Sequence, residues 1–292
     1  MKTREHHPEP SNPLGIDGVE FIEYASAEPL ALGAVLEAMG FAQVGRHRSR
    51  EVVLYRQGDM NVVVNADPQS WSSTNAERGA TSLSAIALRV RNAGDAYQHA
   101  LARGAWAIPT RAGAMELNIP GVHGAGDSVL YFVDRYRDFS MYDVDFKLVE
   151  PQRAHPPALA GLHFFGVVQA IRRDRSAEWI DFYQQLMNFQ ALPAGTHFGV
   201  LPRGIMLASP CGKFCLQLVE PPDGSDDVHW DEALIRVGFG TPDVAAAMQV
   251  LGPRGVTFVD RSPVQPSAKG ALTQIRGGVH FELVASAGAV SQ

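Results

Sequence analysis

Apolar and polar residues alternate with two different periods along the first half of the chain. The segment GVEFIEYA (18–25) is rich in β-branched and aromatic residues, which is typical of a β-strand. In PLALGAVLEAMGF (29–41), apolar residues recur at helical spacing, which predicts a helix that ends near Gly40. Two more strand patterns follow, VVLYRQ (52–57) and NVVVNA (61–66), separated by a Gln-Gly-Asp turn signal.

A second round of the same order completes the first half. It comprises a strand in SLSAIALRV (82–90), a helix in GDAYQHALARGA (94–105), and strands near 106–110, 115–119, 128–133 and 140–147. The first half is therefore predicted to contain two copies of a strand–helix–strands unit.

The second half shows this order again after a proline-rich segment, EPQRAHPPALAG (150–161), which is typical of a linker. The predicted strands are 161–169, 198–202, 205–209, 213–220, 233–239 and 278–284, and the predicted helices are 176–189 and 241–256.

The two halves also match residue by residue, at offsets of about 150 positions, the order of one domain. The matched pairs are Glu20 with His163, Met39 with Met187, Gly104 with Gly255, and Tyr131 with His280. A period this long indicates duplication of a domain rather than a solenoid. The sequence therefore predicts an α+β protein with a flexible tail (1–12), a first domain (13–150), a linker (151–160) and a second domain (161–292).

Composition narrows the class of protein. The chain has a net charge of −6, with 46% hydrophobic and 19% charged residues, which excludes disorder of the whole chain and argues against a nucleic-acid partner. No apolar run approaches the 18 residues of a membrane span, and the N-terminus lacks a secretory signal, so we expect a cytoplasmic protein. Cys211 and Cys215 have no further cysteine to form a zinc site.

Long blocks of the first half resemble bacterial 4-hydroxyphenylpyruvate dioxygenase, a member of the vicinal-oxygen-chelate superfamily. The blocks are NPLGIDGVEFIEYAS (12–26), HRSREVVLYRQGDMNVVVN (47–65), AMELNIPGVHGAGDSVLYFVDRY (114–136) and MYDVDF (141–146). The resemblance implies two tandem domains, each with two βαβββ modules that form an incomplete barrel. It also implies that the first domain is structural and holds no metal.

Within the first domain, Glu20 and Glu23 are candidate acids lining the barrel. Their partner positions lie near Ala85 and Val133, which cannot bind a metal. This composition supports the structural role that the resemblance implies for the first domain.

The second half resembles the catalytic domain of that family, which binds Fe(II) through two histidines and one glutamate. The resemblance implies that His163, in GLHFFGVV, matches the first histidine and that Glu282, in VHFELV, matches the glutamate. The position of the second histidine is occupied by Arg236, in IRVGF. The stretch from Arg236 to Glu282 is also short, and the C-terminal gating helix of the family is expected to be missing.

Two interpretations of this site remain open. His280 and Glu282 are two positions apart and share a strand face, so they could bind a metal together with His163, while Arg236 clamps a substrate carboxylate. Alternatively, Arg236 replaces the metal and pairs with Glu282, with His163 hydrogen-bonded nearby, because guanidinium has no lone pair for a metal. His229, in SDDVHWDE, is a further candidate donor.

These interpretations lead to different functions. The first is an iron-dependent dioxygenase that acts on a small carboxylated or aromatic substrate. The second is a metal-free ligand-binding protein, isomerase or lyase, in which Arg236 holds an anion and Glu282 or His163 acts as a general base. A third is an interaction protein with a vestigial site. The resemblance also implies a homo-oligomer.

Overall fold

The computed structural model describes residues 11–287, apart from 69, 71–80, 110–111, 114–115, 138, 151–152, 197, 202–203 and 225–229. In the first half, the strands are β1 (Val19–Ala25), β2 (Ala42–His47), β3 (Val52–Gln57), β4 (Met60–Asn65), β5 (Ser82–Arg89), β6 (Gly121–His123), β7 (Val129–Val133) and β8 (Phe146–Leu148). The helices of this half are α1 (Pro29–Ala38), α2 (Ala93–Leu101) and α3 (Met141–Asp145).

The second half repeats this arrangement. Its strands are β9 (His163–Ala170), β10 (Gln190–Ala191), β11 (Ile205–Ala208), β12 (Cys215–Val219), β13 (Ala233–Thr241), β14 (Gly270–Leu272) and β15 (Phe281–Ala285). Its helices are α4 (Ser176–Met187) and α5 (Val244–Leu251). The prediction of a mixed α+β fold is confirmed.

Local side-chain chemistry sets the ends of the longer helices. The side chain of Asn92 accepts a hydrogen bond from the amide of Asp95 at the start of α2, at 2.9 Å, and Asp243 does the same for Ala246 at the start of α5, at 3.0 Å. Gly40 follows α1 with a φ of +99°, a left-handed conformation that favours glycine.

The strands of each half form a curved sheet. In the first curved sheet (β1–β8), the strand order is β8-β2-β3-β4-β1-β5-β7-β6. Residues from both ends of this order, Phe146 of β8 and Gly121 of β6, line one cavity, so the sheet curls around it. In the second curved sheet (β9–β15), the order is β10-β11-β12-β9-β13-β15-β14, and side chains of β11 and β15 likewise face one interior.

The two curved sheets are joined edge to edge. Strands β5 and β13 pair in antiparallel fashion, with Leu83 opposite Leu234. The largest apolar cluster includes buried side chains from both halves, and the rings of Phe41 and Phe239 lie 5.7 Å apart across it. The core is therefore shared between the halves.

Four strand predictions are wrong. Among the described residues, 106–109 form only an isolated bridge, at Ala107, and 116–119 form no strand. Most of the segment 140–147 is helix α3, because Asp143 accepts hydrogen bonds from the amide and hydroxyl of Ser140 and stabilises the first turn of a helix. Residues 198–201 form a turn instead of a strand, and Gly199 there has a φ of +73°. Residue 202 lies outside the described residues.

Candidate functional site

One row of residues crosses the concave face of the second curved sheet. Gly166 on β9 lies opposite Gly238 on β13, and Gly238 lies opposite Glu282 on β15. Arg236 is two positions before Gly238, and alternate residues of a strand share a face. The row therefore brings Arg236 and Glu282 to the same side of the sheet.

The side chains of Arg236 and Glu282 form a buried ion pair. Nε of Arg236 lies 3.1 Å from Oε2 of Glu282, and the two side chains are only 5% and 4% exposed. The N–H of Nε is not aimed at this oxygen, and it has no hydrogen-bond partner among the described residues. The Arg236–Glu282 contact predicted from the sequence is thus confirmed as an ion pair of imperfect hydrogen-bond geometry.

The turn at 198–201 covers this pair. The amide of Val200 donates a hydrogen bond of 2.9 Å to Oε1 of Glu282, and a Cβ on Gly199 would lie only 2.0 Å from that oxygen. The ring of Phe198 packs edge-on against Phe165, with centroids 5.0 Å apart. The cavity left beside Glu282 measures about 20 Å³, which is room for roughly one water molecule.

Burial and charge act in opposite directions on the pair. Burial raises the pKa of Glu282, and the charge of Arg236 and the amides of Val200 and Leu201 oppose that rise. Burial lowers the pKa of Arg236, and the carboxylate of Glu282 opposes that fall. Each partner therefore stabilises the charged form of the other, and removal of either one would leave an uncompensated charge in the sheet interior.

His163 lies away from the pair. Its Nε2 is 3.1 Å from the hydroxyl of Ser286, its Nδ1 is 3.1 Å from the carbonyl oxygen of Gly161, and it stands opposite Gly240. A β-bulge in the pairing of β9 with β13 shifts the register. The β9 residue in register with Glu282 is Gly166, three positions along the strand from His163, and the expectation that His163 hydrogen-bonds beside the pair is wrong.

Gly166 has no room for a side chain. A Cβ at this position would lie 2.3 Å from the carbonyl oxygen of Cys215 on the neighbouring strand. A metal ligand at this point of the row would require a backbone shift.

His280 comes directly before β15 and lines a cavity with Asp260, Arg261 and Thr273, whereas Glu282 lines another. Burial and the charge of Arg236 lower the pKa of His280 to about 4, so its imidazole is neutral at pH 7.

These donors do not fit the iron site that the resemblance implies. A facial iron site needs two imidazoles and a carboxylate that converge on one point. Within the described residues, no group of three His, Cys, Asp or Glu side chains could hold a metal ion. His163 is held by Ser286 and Glu282 by Arg236, so a metal role for His163, His280 and Glu282 stays a prediction. His229 lies outside the described residues.

One row of the first curved sheet contains the candidate acid Glu23. Glu23 on β1 lies opposite Ala85 on β5, and Ala85 lies opposite Val129 on β7. Glu23 lines the cavity of this sheet, as the sequence predicts. Glu20, predicted as a second lining acid, instead pairs with Nε of Arg89 at 2.5 Å.

The cavity of the first curved sheet measures about 180 Å³ and is bordered by charged residues that the sequence did not single out. Arg50, Glu116 and Asp145 come from segments far apart in the chain, and 66 positions separate Arg50 from Glu116. The sequence signal that points to them is weak: Arg50 precedes a predicted strand, Glu116 lies within another, and no motif links them.

Comparison with known proteins supports this architecture. Residues 10–147 match the family model described as hydroxyphenylpyruvate dioxygenase, HPPD, N-terminal. A variant of 4-hydroxymandelate synthase from Streptomyces coelicolor superposes with a TM-score of 0.72 at 17% identity, covering 95% of each chain. The structural likeness concerns the fold: a mixed α+β protein built of two similar halves.

Sequence similarity extends over most of the chain. A 4-hydroxyphenylpyruvate dioxygenase from Pseudomonas sp. (strain P.J. 874) is 41% identical over 265 residues, which cover 86% of this chain and 73% of that protein. Hemolysin VllY from Vibrio vulnificus is 36% identical over 263 residues, which cover 85% of this chain and 73% of that protein. The chain therefore belongs to the 4-hydroxyphenylpyruvate dioxygenase family. None of its described helices is long and apolar enough to cross a membrane.

Proposed function

We propose that this chain is a metal-free member of the 4-hydroxyphenylpyruvate dioxygenase family, built of two vicinal-oxygen-chelate domains, that binds a small molecule without iron-dependent oxygenation. The observation that supports this most directly is the buried contact of 3.1 Å between Arg236 and Glu282. These are the two positions at which the resemblance implies an iron-binding histidine and an iron-binding carboxylate.

The charge of Arg236 is the first reason. A guanidinium stays protonated and offers no lone pair to a metal. At an effective dielectric of about 20, it also repels a divalent cation a few Å away by several kcal/mol. An iron ion beside Glu282 would have to overcome this repulsion and the loss of the ion pair.

The geometry around Glu282 is the second reason. One carboxylate oxygen contacts Arg236 and the other accepts the amide of Val200. The position in register on β9 is Gly166, whose surroundings leave no space for a side chain. The carboxylate is thus already bound within the protein, and the neighbouring strand supplies no second ligand.

The anion that contacts Arg236 in this structure is the carboxylate of Glu282. A substrate carboxylate would have to displace Glu282 from Arg236, and Glu282 would have to leave the pair to act as a base. We therefore favour metal-free binding of a ligand elsewhere in the chain. Substrate binding by Arg236, and catalysis by Arg236 and Glu282, are the less favoured proposals.

Metal content and oxygen consumption test the proposal together. The purified protein is reconstituted anaerobically with Fe(II), Mn(II) or Zn(II), desalted and analysed for bound metal. Oxygen uptake is then measured with 4-hydroxyphenylpyruvate and a panel of other 2-keto acids. We expect metal far below one ion per chain and no uptake that depends on Fe(II) and keto acid.

The competing function is the dioxygenase itself, which the 41% identity to a 4-hydroxyphenylpyruvate dioxygenase favours. One iron per chain together with keto-acid-dependent oxygen uptake would establish that function and overturn ours. The variant His280→Ala serves as a control, because loss of bound metal in this variant alone would identify the His163, His280 and Glu282 triad.

A further inference from the structure

A cavity of about 510 Å³ lies beside His280 in the second half of the chain, and we call it the His280 cavity. Small-molecule sites in proteins occupy about 300–1,000 Å³, so the His280 cavity has the size of a ligand site. None of its described lining residues borders the smaller cavity beside Glu282. A ligand in the His280 cavity therefore leaves the ion pair of Arg236 and Glu282 intact.

Backbone hydrogen bonds hold the loop that forms one wall of this cavity. The amide of Val259 donates a hydrogen bond of 2.8 Å to the carbonyl oxygen of Leu272 on β14. The amide of Val264 donates one of 2.9 Å to the carbonyl oxygen of Arg261, which closes a turn. The backbone around Arg261 is thus fixed by contacts within the protein.

Two side chains of opposite charge, Asp260 and Arg261, line the His280 cavity. Both are exposed, and neither side chain makes a hydrogen bond or ion pair with any residue that the structure describes. Although the two residues are adjacent in the chain, they do not form an ion pair with each other. One carboxylate and one guanidinium are therefore available to a ligand in the same cavity.

The imidazole of His280 adds a neutral polar group to this lining. The residue is partly buried, and its ring makes no hydrogen bond with the described part of the chain. Buried polar groups are usually hydrogen-bonded, so this ring needs a partner from outside the protein. A neutral imidazole carries one N–H donor, which suits a carboxylate oxygen.

The apolar part of the lining is aliphatic, and we call it the aliphatic wall. It consists of Val259, Val264, Leu272 and Ile275. Ile275 is 72% exposed, and covering so large an apolar side chain is favourable. A nonpolar ligand body that packs against Ile275 would provide this cover.

We propose that the His280 cavity binds a free amino acid with a nonpolar side chain. The ligand carboxylate lies beside Arg261 and His280, its ammonium group beside Asp260, and its side chain against the aliphatic wall. A guanidinium donates two parallel hydrogen bonds to a carboxylate, and a carboxylate accepts hydrogen bonds from an ammonium group. This inference rests on the proposed function, and it names the class of small molecule and the site that binds it.

Probes that keep the nonpolar body and remove one charge at a time test the ligand class. One series comprises L-leucine, 4-methylpentanoate and 3-methylbutylamine, and the other comprises L-phenylalanine, 3-phenylpropanoate and 2-phenylethylamine. Titration calorimetry at pH 7 measures each probe on the wild-type protein. In at least one series, we expect the amino acid to bind about fivefold or more tightly than either analogue, because each analogue lacks one charged hydrogen-bonding group.

Two results would overturn the proposal. One is that neither amino acid binds. The other is that, in both series, an analogue with a single charge binds as tightly as the amino acid. A carboxylate analogue that matches its amino acid would show a site for anions alone.

Variants of the two charged residues assign each end of the ligand. In Arg261→Met, the affinity for the amino acid should fall about fivefold or more, and its preference over the ammonium analogue should disappear. In Asp260→Asn, the preference over the carboxylate analogue should disappear instead. A general loss of structure would not produce this crossed pattern. If both variants bind the amino acid as the wild type does, the assigned site is wrong.

Control variants remove the same charges elsewhere. Arg46→Met on β2 and Asp181→Asn on α4 change exposed residues, and they should bind every probe as the wild type does. Circular dichroism checks that each variant is folded. The probe series on the wild-type protein decides the ligand class even if a substitution prevents folding.

Failure of this inference is distinguishable from failure of the proposed function. A protein without iron-dependent oxygen uptake that binds neither amino acid would overturn the inference alone. Bound iron with keto-acid-dependent oxygen uptake would overturn the proposed function, whatever the probe titrations show.

Discussion

The two curved sheets share a strand order but use their interiors in opposite ways. In the second, Arg236 and Glu282 neutralise each other, and the turn at 198–201 leaves a cavity of only about 20 Å³. In the first, Glu23 borders a cavity of about 180 Å³. The space beside the ion pair is filled in the second curved sheet, whereas the first curved sheet has an open interior beside Glu23.

This contrast predicts a large stability difference for single charge removals. Breaking a buried pair by removing one partner costs about 3–5 kcal/mol, so Arg236→Met should lower the free energy of unfolding by that amount. Asp145→Asn in the first curved sheet, which keeps an acceptor for the amide of Leu117, should cost less than about 1.5 kcal/mol. Urea denaturation monitored by circular dichroism measures the free energy of unfolding of both variants.

The double variant Arg236→Met, Glu282→Leu provides the control for this difference. Replacing both members of a buried pair by apolar residues is often neutral, so it should recover most of the stability lost in Arg236→Met. A stable single variant at Arg236, or a double variant no better than the single one, would contradict the view that the pair is buried and mutually dependent.

The turn over Glu282 gives the second test. Gly195 and Gly199 both have a positive φ, of +81° and +73°, so alanine at either position carries backbone strain of about 1–2 kcal/mol. A Cβ on Gly195 meets no atom within 4 Å, whereas one on Gly199 would lie 2.0 Å from Glu282. The free energy of unfolding of Gly199→Ala should therefore be lower than that of Gly195→Ala by about 1–3 kcal/mol. Equal melting temperatures would show that the turn does not press on the pair.

The smallest expected effect concerns acid stability in the first curved sheet. The hydrogen bonds from Arg50 lower the pKa of Glu116 from its ordinary value of 4.5 to about 2. A lowered carboxylate pKa stabilises the fold above pH 4.5, and this stability is lost as the pH falls towards 2. After allowance for solvent screening, we expect the free energy of unfolding to fall by about 1 kcal/mol over this pH range. In Glu116→Gln, the acid part of a stability–pH profile should be flatter; an unchanged profile would contradict the assigned pKa.

Much of the fold could be predicted because periodicity is a local property. The spacing of apolar residues located helices α1, α2, α4 and α5, and the family resemblance pointed to Arg236 and Glu282 as one site. The resemblance was wrong for the contact of His163 with the pair, because His163 lies three positions along β9 from Gly166, the residue in register with Glu282. The strand prediction failed at α3, where Asp143 bonds to Ser140 and favours a helical turn over a strand.

The charged cavity could not be predicted from the sequence for a different reason. Arg50 and Glu116 meet across 66 positions of the chain, and Asp145 reaches the same space from the end of α3. Such long-range contacts depend on how the sheet curls, which no local pattern records. The resemblance implies a site only in the second half, where the family binds its metal.

The pairing of β5 with β13 has a consequence for how the molecule comes apart. Because Leu83 lies opposite Leu234 in one continuous sheet, separating the halves would expose two strand edges and split the shared core. A Cβ on Gly126 would lie 1.6 Å from the carbonyl oxygen of Glu232, so the halves also meet backbone to backbone. We therefore expect the halves to unfold in one cooperative transition. The most slowly exchanging amide protons should lie on both β5 and β13. A ligand bound in one half should then also protect the other half against proteases.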